Sequence, residues 1–381
     1  MRLLSLFSGI GAFEKALALN GMDYELVNYC EIDNYTSKAY SVIHNVSEEL
    51  NLKDVRAVDT TKLNDIDLLT YSFPCQDLSQ AGRQQGFIDA DGNVTRSGLF
   101  FEALRIILGV KPKVAIAENV KALTTKKFTK EFDIVLKGLD TAGYNNYWAV
   151  LNAKDYGTPQ NRERVFIISI RKDIDNGSFS FPTPVPLKIR LKDMLESEVD
   201  EKFYLSDEQL QKIKPNTSDT AKGNNCIELG WIPKSETGTK HQSNTFYSSE
   251  GVARTLTACD YKSPMMITET AKVMQVGNLR QGTGWDNPQY GRVYNANGIS
   301  PTLLTMQGGN RQPKIVEQKQ DFRIRKLTPL ECWRLMGFTD EDCNKVKAAG
   351  ISNSQLYKMA GNSICVSVLQ AIFNQLRGVL C

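Results

Sequence analysis

Leu3-Leu4-Ser5-Leu6-Phe7-Ser8-Gly9-Ile10-Gly11-Ala12-Phe13-Glu14 is the stretch on which the reading of this chain turns. A strand-length apolar run passes through Ser-Gly-x-Gly into a segment of helical periodicity, so a strand over Leu3 to Phe7, a tight turn and a helix over Ala12 to Asn20 are expected. The glycines let backbone approach a ligand closely, and the start of the helix is electropositive. A second strand over Glu25 to Glu31 ends in an acid about 20 residues beyond the turn, the place from which a carboxylate reaches ribose hydroxyls. Together these features point to an adenosine-containing ligand. Glu14 stands where the dinucleotide fingerprint has its third glycine, and no Gly-Lys dipeptide occurs in the chain, which excludes a Walker-type triphosphate cradle.

Working outward, the alternation continues to about residue 180. Strands are expected at Asp67 to Ser72, Lys113 to Glu118, Tyr147 to Ala153 and Arg164 to Ile170, and helices at Tyr35 to His44, Leu99 to Leu108 and Lys130 to Ala142. This predicts an α/β fold with a doubly wound, mostly parallel sheet and ligands at the carboxyl ends of its strands. Phe181-Pro182-Thr183-Pro184-Val185-Pro186 stops the pattern, since proline fits neither a helix interior nor a central strand. Residues 187–320 are rich in Gly, Asn, Ser and Thr and read as a second, smaller, loop-rich β domain. Within it Tyr247 to Leu256 matches Tyr294 to Leu303, and Pro264 to Ile267 matches Pro313 to Val316, as two copies of one β-turn-β unit would. Helical periodicity returns at Thr328 to Met336 and at Ser354 to Leu380, which Gly361-Asn362-Ser363 punctuates. Val366, Leu369, Ile372, Phe373 and Leu376 share one face of the last helix, with the sheet domain as the expected partner. The expected divisions are 1–184 (catalytic and cofactor-binding), 185–322 (target recognition), 323–352 (hinge segment) and 353–381 (returning to the first domain).

The 381 residues carry 46 Lys and Arg against 43 Asp and Glu, a formal charge of +3, which excludes a simple polycation. The longest strongly apolar run, about Val165 to Ile170, is far short of a membrane span of roughly 18 residues. Glu14 and Lys15 interrupt the N-terminal apolar run too early for a signal peptide. Eight cysteines without a CxxC pair fit a reducing cytoplasm, offer no zinc spacing, and with only His44 and His241 leave a Ser-His-Asp mechanism or a metal site without its parts.

Three segments carry chemistry-bearing side chains to strand ends. Ser72-Phe73-Pro74-Cys75-Gln76 places a thiol at the sheet's carboxyl edge, where a depressed pKa would make it a nucleophile; a lone cysteine is otherwise a small core hydrophobe. Glu118-Asn119-Val120 brings a carboxyl group to the same edge, or caps the next helix. Gln160-Asn161-Arg162-Glu163-Arg164 directs guanidinium groups towards that cleft, or forms a solvated turn.

In order and spacing these segments resemble the cytosine carbon-5 DNA methyltransferases, whose shared blocks run FxGxG, PCQ, ENV, QxRxR, RxLTxxExxRLxGF and GNS. The last two are Arg325-Lys-Leu-Thr-Pro-Leu-Glu-Cys-Trp-Arg-Leu-Met-Gly-Phe338 and Gly361-Asn362-Ser363. The resemblance covers residues 1–180 and 323–381, and the segment between corresponds in place to the family's target recognition domain. It implies a Rossmann-like methyltransferase fold and transfer of a methyl group from S-adenosylmethionine to carbon 5 of a flipped-out cytosine in duplex DNA. Cys75 would add to carbon 6, Glu118 would protonate ring nitrogen 3, and Arg164, supported by Arg162, would hold the exocyclic oxygen. For the cofactor it implies Phe7, Gly9, Gly11, Glu31, Asp59, Pro74, Leu99 and Asn362, and no metal. Ser5, Ala12 and Ser72 depart from the family's usual residues without removing a reacting group.

A cytosine in duplex DNA must leave the stack to meet Cys75. Ser79, Arg83 and Gln84, on the loop after the nucleophile, are expected to fill the gap and touch phosphate. Residues 231–316 hold nine basic and five acidic side chains, a modest footprint for DNA in which Arg254, Arg280, Arg292 and Arg311 are the candidate contacts. The tRNA cytosine methyltransferases share the blocks but lack the long variable insertion found here between the QxRxR strand and Arg325. A DNA-binding module without turnover would not need Cys75, Glu118 and Arg164. The expected setting is the cytoplasm of a bacterial cell or phage-infected host, with a monomer acting on duplex DNA and a cognate restriction endonuclease as a compatible partner.

Overall fold

The computed structural model describes residues 1–75, 77–78, 85–206, 208, 226–233, 239–270 and 322–380, together with short strands at Lys214–Pro215, Gln275–Asn278, Arg292–Asn295 and Lys314–Val316. The opening stretch folds as read. Strand β1 (Arg2–Leu6) turns through Phe7 to Gly11 into helix α1 (Ala12–Leu19), followed by β2 (Glu25–Cys30) and α2 (Asn34–His44). The first domain continues with β3 (Leu68–Tyr71), α3 (Phe100–Val110), β4 (Val114–Val120), α4 (Thr129–Thr141), β5 (Tyr144–Asn152), the short β6 (Gln160–Asn161) and β7 (Glu163–Arg171). Six of these strands form one sheet in the order β2-β1-β3-β4-β7-β5.

Alternation along the strands divides the core in two. Leu3, Leu68, Val114, Ile116, Ile168 and Ile170 face one cluster, with α1 and the C-terminal helices. Leu4, Leu6, Leu69, Tyr71, Ala115, Val165 and Ile167 face the other, with α3 and α4. β1 leads to β2 on one side and to β3 on the other, so the strand order reverses between β1 and β3, where a doubly wound sheet leaves its ligand crevice. The sheet is mixed: β1, β2, β3 and β4 run parallel, while β7 is antiparallel to both β4 and β5. The cause is the link over residues 153–162, too short for the crossover of about a dozen residues that a parallel return needs.

Beyond the proline-rich stretch, β8 (Lys214–Pro215), β9 (Glu228–Trp231), β10 (Thr245–Ser248), β11 (Ala253–Arg254) and β12 (Met266–Thr270) are followed by β13 (Gln275–Asn278), β14 (Arg292–Asn295), β15 (Lys314–Val316) and β16 (Phe322–Lys326). A five-stranded sheet runs β16-β12-β10-β9-β8, a three-stranded one β13-β14-β15, and β11 pairs with β6 of the first domain. The outermost strand of the larger sheet, β16, thus lies across and beyond the division expected at 322.

The chain ends in α5 (Pro329–Arg334), α6 (Asp340–Ala348), α7 (Asn353–Asn362) and α8 (Val366–Leu380). Thr328 caps α5 in a capping box with Glu331, and Glu331 also holds Arg325 through two 2.8 Å contacts with both side chains fully buried. Val366, Leu369, Ile372, Phe373 and Leu376 are all buried, with Phe373 edge-on to Phe13 of α1. Each such burial contributes about 1.5–3 kcal/mol relative to exposure. Residues 353–380 contain an 18-residue window that is, by length and composition, apolar enough to span a membrane, although polar residues interrupt it. In the fold Ser363-Ile364-Cys365 divides them into two helices, and 56% of that window is buried in the protein.

Candidate active site

β3 and β4 are neighbours, so the chain leaving β3 as Ser72-Phe73-Pro74-Cys75 passes beside Glu118-Asn119-Val120 at the end of β4. Asn119 fastens the two: its Nδ2 donates to the Phe73 carbonyl at 3.0 Å and its Oδ1 accepts from the Val120 amide at 2.9 Å, with the side chain buried. Its role was not assigned from sequence, although its place in the ENV block was the signal. Arg164 comes from β7. Because β7 runs against β4, its first residues meet the last of β4, with Arg164 opposite Val120 and Arg164 Nε 3.0 Å from Glu118 Oε1. A parallel β7 would have put this arginine at the far edge of the sheet. Cys75, Glu118 and Arg164 therefore converge.

Burial dominates the electrostatics of this cluster. It raises the Glu118 carboxyl above its ordinary range, against the pull of Arg164 and Arg162. Burial, then the charge of Glu118, raises Cys75 as well, and the two arginines oppose that only in part. The sequence-based expectation of a depressed thiol is thus corrected for the free protein. Desolvation outweighs the nearby cations, so the resting thiol keeps its proton.

Arg162 faces elsewhere. It is 4% exposed, and its guanidinium donates to the carbonyls of Leu256 at 2.8 Å, Gly361 at 3.1 Å and Ser363 at 2.6 Å. Burial and neighbouring Arg164 bring its pKa down to about 10. It joins the strand to the second region and to the C-terminal segment, while Gln160 Nε2 donates to the Leu335 carbonyl.

At the carboxyl end of β1, Phe7 adopts φ 52, Gly9 φ 56 and Gly11 φ 78, a run of left-handed backbone that is costly for a phenylalanine and characteristic of ligand-shaped turns. Glu31 is fixed beside it, one carboxylate oxygen accepting from the Gly9 amide at 3.0 Å and the other from the Asp33 amide at 2.9 Å. Burial raises its pKa above the ordinary range. Asn51 clamps the Glu31 backbone on both sides, accepting from its amide and donating to its carbonyl; nothing in the sequence singled it out. His44 was set aside as a base, yet it lies under the same turn, its Nε2 3.1 Å from the Ile10 carbonyl, and a Cβ on Gly11 would fall 2.0 Å from that nitrogen. Nothing lies within 4 Å of the place a Cβ on Gly9 would take, so the turn opens onto free space. A ribose-bearing cofactor fits a carboxylate held beside an open, glycine-lined turn. Pro74 and Leu99 are half-buried at the same strand edge and at the start of α3, Asp59 is exposed and caps a short turn, and Asn362 is exposed at the end of α7. Among the departures from the family pattern, buried Ser5 accepts from Thr70 Oγ1 at 3.1 Å, and Ser72 Oγ is buried beside the Glu118 carboxyl.

Ser79, Arg83 and Gln84 lie outside the described residues, as do Arg280 and Arg311; Arg292 is described only as a residue of β14. The base of the loop after Cys75 is pinched shut: the Gly86 amide donates to the Asp77 carbonyl at 3.1 Å, and Asp77 exchanges hydrogen bonds with Ser97. Arg254 is not available to DNA as expected. It is 5% exposed, and its two terminal nitrogens each meet an Asp260 oxygen at 3.1 Å, because β11 is packed between the two regions.

Residues 1–378 match the family of C-5 cytosine-specific DNA methylases. The chain is 35% identical to the orphan methyltransferase M.SPRI of Bacillus phage SPR, covering 99% of this chain and 97% of that one. It is 31% identical to the type II methyltransferase M.HhaI of Haemophilus parahaemolyticus over 98% and 93%. Among solved structures it is similar to the Entamoeba histolytica methyltransferase EhMeth (TM-score 0.66, 15% identity, 100% and 99% covered) and to the S. pombe Dnmt2 methyltransferase (TM-score 0.62, 19% identity, 99% of each), likenesses of fold.

Proposed function

The chain belongs to the C-5 cytosine-specific DNA methylases, and from that premise we propose that it methylates cytosine in a short duplex DNA sequence through a covalent bond to Cys75, with S-adenosylmethionine as the methyl donor. The observation that carries the reading is the convergence of Cys75, Glu118 and Arg164 at one strand edge, beside the turn that holds Glu31. Phe7, Gly9, Gly11 and Glu31 would hold the cofactor's methionine and ribose parts, with Asp59, Pro74, Leu99 and Asn362 completing the site. When bound, S-adenosylmethionine supplies a sulfonium methyl group, an electrophile that cytosine carbon 5 cannot attack unaided.

The chain's own residues make carbon 5 reactive. Arg164 orients the ring through its exocyclic oxygen. The Cys75 thiol first gives up its proton to water, the thiolate sulfur bonds to carbon 6, electrons shift through carbon 4 to nitrogen 3, and nitrogen 3 takes the proton that burial lets Glu118 retain. Carbon 5 is then an enamine carbon and accepts the methyl group. Water takes the carbon-5 proton as the sulfur–carbon bond breaks and restores the ring, the released thiolate regains a proton from water, and nitrogen 3 returns its proton to Glu118. Arg162 acts at one remove, holding carbonyls of the C-terminal and recognition segments in place.

Incubating the purified protein with S-adenosylmethionine and unmethylated genomic DNA, followed by bisulfite sequencing, tests this. Protected cytosines confined to one or a few short motifs are the expected result. An unprotected genome, with labelled methyl appearing instead in a tRNA transcript, would overturn it.

A further inference from the structure

The turn between β1 and α1 is gripped from outside at two points, and both grips come from the stretch around α2. Glu31, just before that helix, accepts from the Gly9 amide at 3.0 Å. His44, the last residue of the helix, lies with Nε2 3.1 Å from the Ile10 carbonyl oxygen. A carbonyl can only accept, so Nε2 carries the ring proton and donates the hydrogen bond. Burial holds the His44 pKa below its ordinary value, against the pull of Glu14 and Asp342 and with the help of Lys15. The ring is therefore neutral at neutral pH, and its one N–H is committed to the turn.

The imidazole is itself fixed by its surroundings. Tyr40, one turn earlier on α2, tilts against it with ring centres 4.7 Å apart. Tyr40 is fully buried, stacks on Tyr29 of β2 at 4.1 Å, and its hydroxyl donates to Glu14 of α1 at 2.9 Å. The imidazole also occupies the room that a side chain at residue 11 would need, since a Cβ on Gly11 would fall 2.0 Å from Nε2. Gly11 stands at φ 78, and its own amide donates to the Ser8 carbonyl at 3.0 Å. Glycine is thus required there on two counts, by the left-handed backbone and by the ring. At Gly9 the place of a Cβ has nothing within 4 Å. One end of the turn is propped by His44 and the other is open.

We propose that His44 is a positioning residue for the cofactor: by donating to Ile10 and filling the space beside Gly11, it holds the left-handed turn in its ligand-shaped form before the ligand arrives. This rests on the S-adenosylmethionine reading above. Three of the five residues from Phe7 to Gly11 have positive φ, a backbone whose cost must be met by contacts around it. Glu31 holds an amide of the turn and His44 a carbonyl, so loss of either grip lets the turn relax, and binding then has to restore its shape. Glu31 is expected to touch the ribose itself. His44 acts through the backbone alone, so its loss should weaken the cofactor and leave the chemistry at Cys75 intact.

The test is calorimetric titration of the full chain with S-adenosylhomocysteine, followed by steady-state methyl transfer. His44→Leu keeps much of the volume and removes the donor. It should weaken S-adenosylhomocysteine about tenfold and raise KM for S-adenosylmethionine by a like factor, the effect of leaving a carbonyl without its hydrogen bond. At saturating cofactor, kcat and KM for DNA should stay within about twofold. His44→Gln, whose amide can replace the Nε2–H, should return cofactor affinity to within about threefold of the wild type. A second comparison guards against a variant that simply folds poorly. His44→Ala should weaken the wild type about tenfold but leave Gly11→Ala, whose added methyl group would already displace the ring, no weaker than before. Cofactor affinity unchanged in His44→Leu, kcat and KM for DNA lost in step with it, or His44→Ala weakening both backgrounds equally overturns the proposal. A wild type that takes up no S-adenosylhomocysteine overturns the cofactor reading and this inference with it, whereas one that binds it and is indifferent to these changes overturns the inference alone.

Discussion

The catalytic sheet and the second, five-stranded sheet are built to different tolerances. In the first, strands of up to nine residues are packed on both faces, and each reacting group is carried on or just beyond a strand end, braced by Asn119 or by antiparallel pairing. In the second, strands of two to five residues surround a small buried core of Phe246, Met266 and Ile324, and β11 and Arg162 tie the region to its neighbour. Chemistry needs atoms held to fractions of an ångström, which a doubly covered sheet supplies; the smaller unit, to which the proposed function gives recognition, takes its place from the larger one.

The sharpest way to break this comparison is Cys75→Ala. Methyl transfer should fall to the enzyme-free background while cofactor affinity, measured calorimetrically, stays within a few-fold. Retained turnover would remove the covalent route. Glu118→Gln should lower kcat by about 10²–10⁴-fold and change the pH profile. In the wild type, ionisation of Cys75 helps and ionisation of Glu118 hurts, so kcat/KM is flat between their two pKa values. In the variant only the thiol titrates, and since burial raises its pKa, kcat/KM should climb about tenfold per pH unit through neutrality. A flat profile in the variant would mean that Glu118 is not the proton source.

The next changes sharpen the other side of the comparison. Arg162→Met strips a buried charge from three carbonyls and should cost on the order of 3 kcal/mol in urea unfolding. Arg254→Gln should cost about 1–3 kcal/mol, leaving the methylated sequence motif unchanged by bisulfite mapping; a changed motif would return Arg254 to base reading. Lys121→Ala, losing a pair with Glu163 in which both side chains are about half exposed, should shift stability by less than about 1 kcal/mol.

The sheet was legible because its strands are continuous apolar runs and glycines such as Gly11, Gly143 and Gly157, all at positive φ, punctuate the turns between elements. What periodicity does not encode is direction: a run such as Val165 to Ile170 reads the same up or down, and only the shortness of the link over residues 153–162 sets β7 antiparallel. Cys75, Glu118 and Arg164 were legible as strand-end side chains. Asn51, Asn119 and His44 were not, because each acts by bridging segments distant in sequence. Arg254 was misjudged for a related reason, since charge counted along a chain does not distinguish a guanidinium facing solvent from one closed on Asp260. The raised Cys75 thiol likewise follows from burial that sequence does not report.

Gly361 has a bearing on how such enzymes can be rearranged. A Cβ there would fall 2.2 Å from the backbone of Thr257 and 2.4 Å from the Ala258 amide. At that point the two main chains touch without a side chain between them, so the fit there is one of shape. If the second region is the recognition unit, a foreign one grafted onto this scaffold would have to present the same bare backbone at residues 257–258 as well as the β11 pairing and the Leu256 carbonyl that Arg162 holds. A graft that misses that one fit would leave the scaffold without its footing, however well it grips DNA.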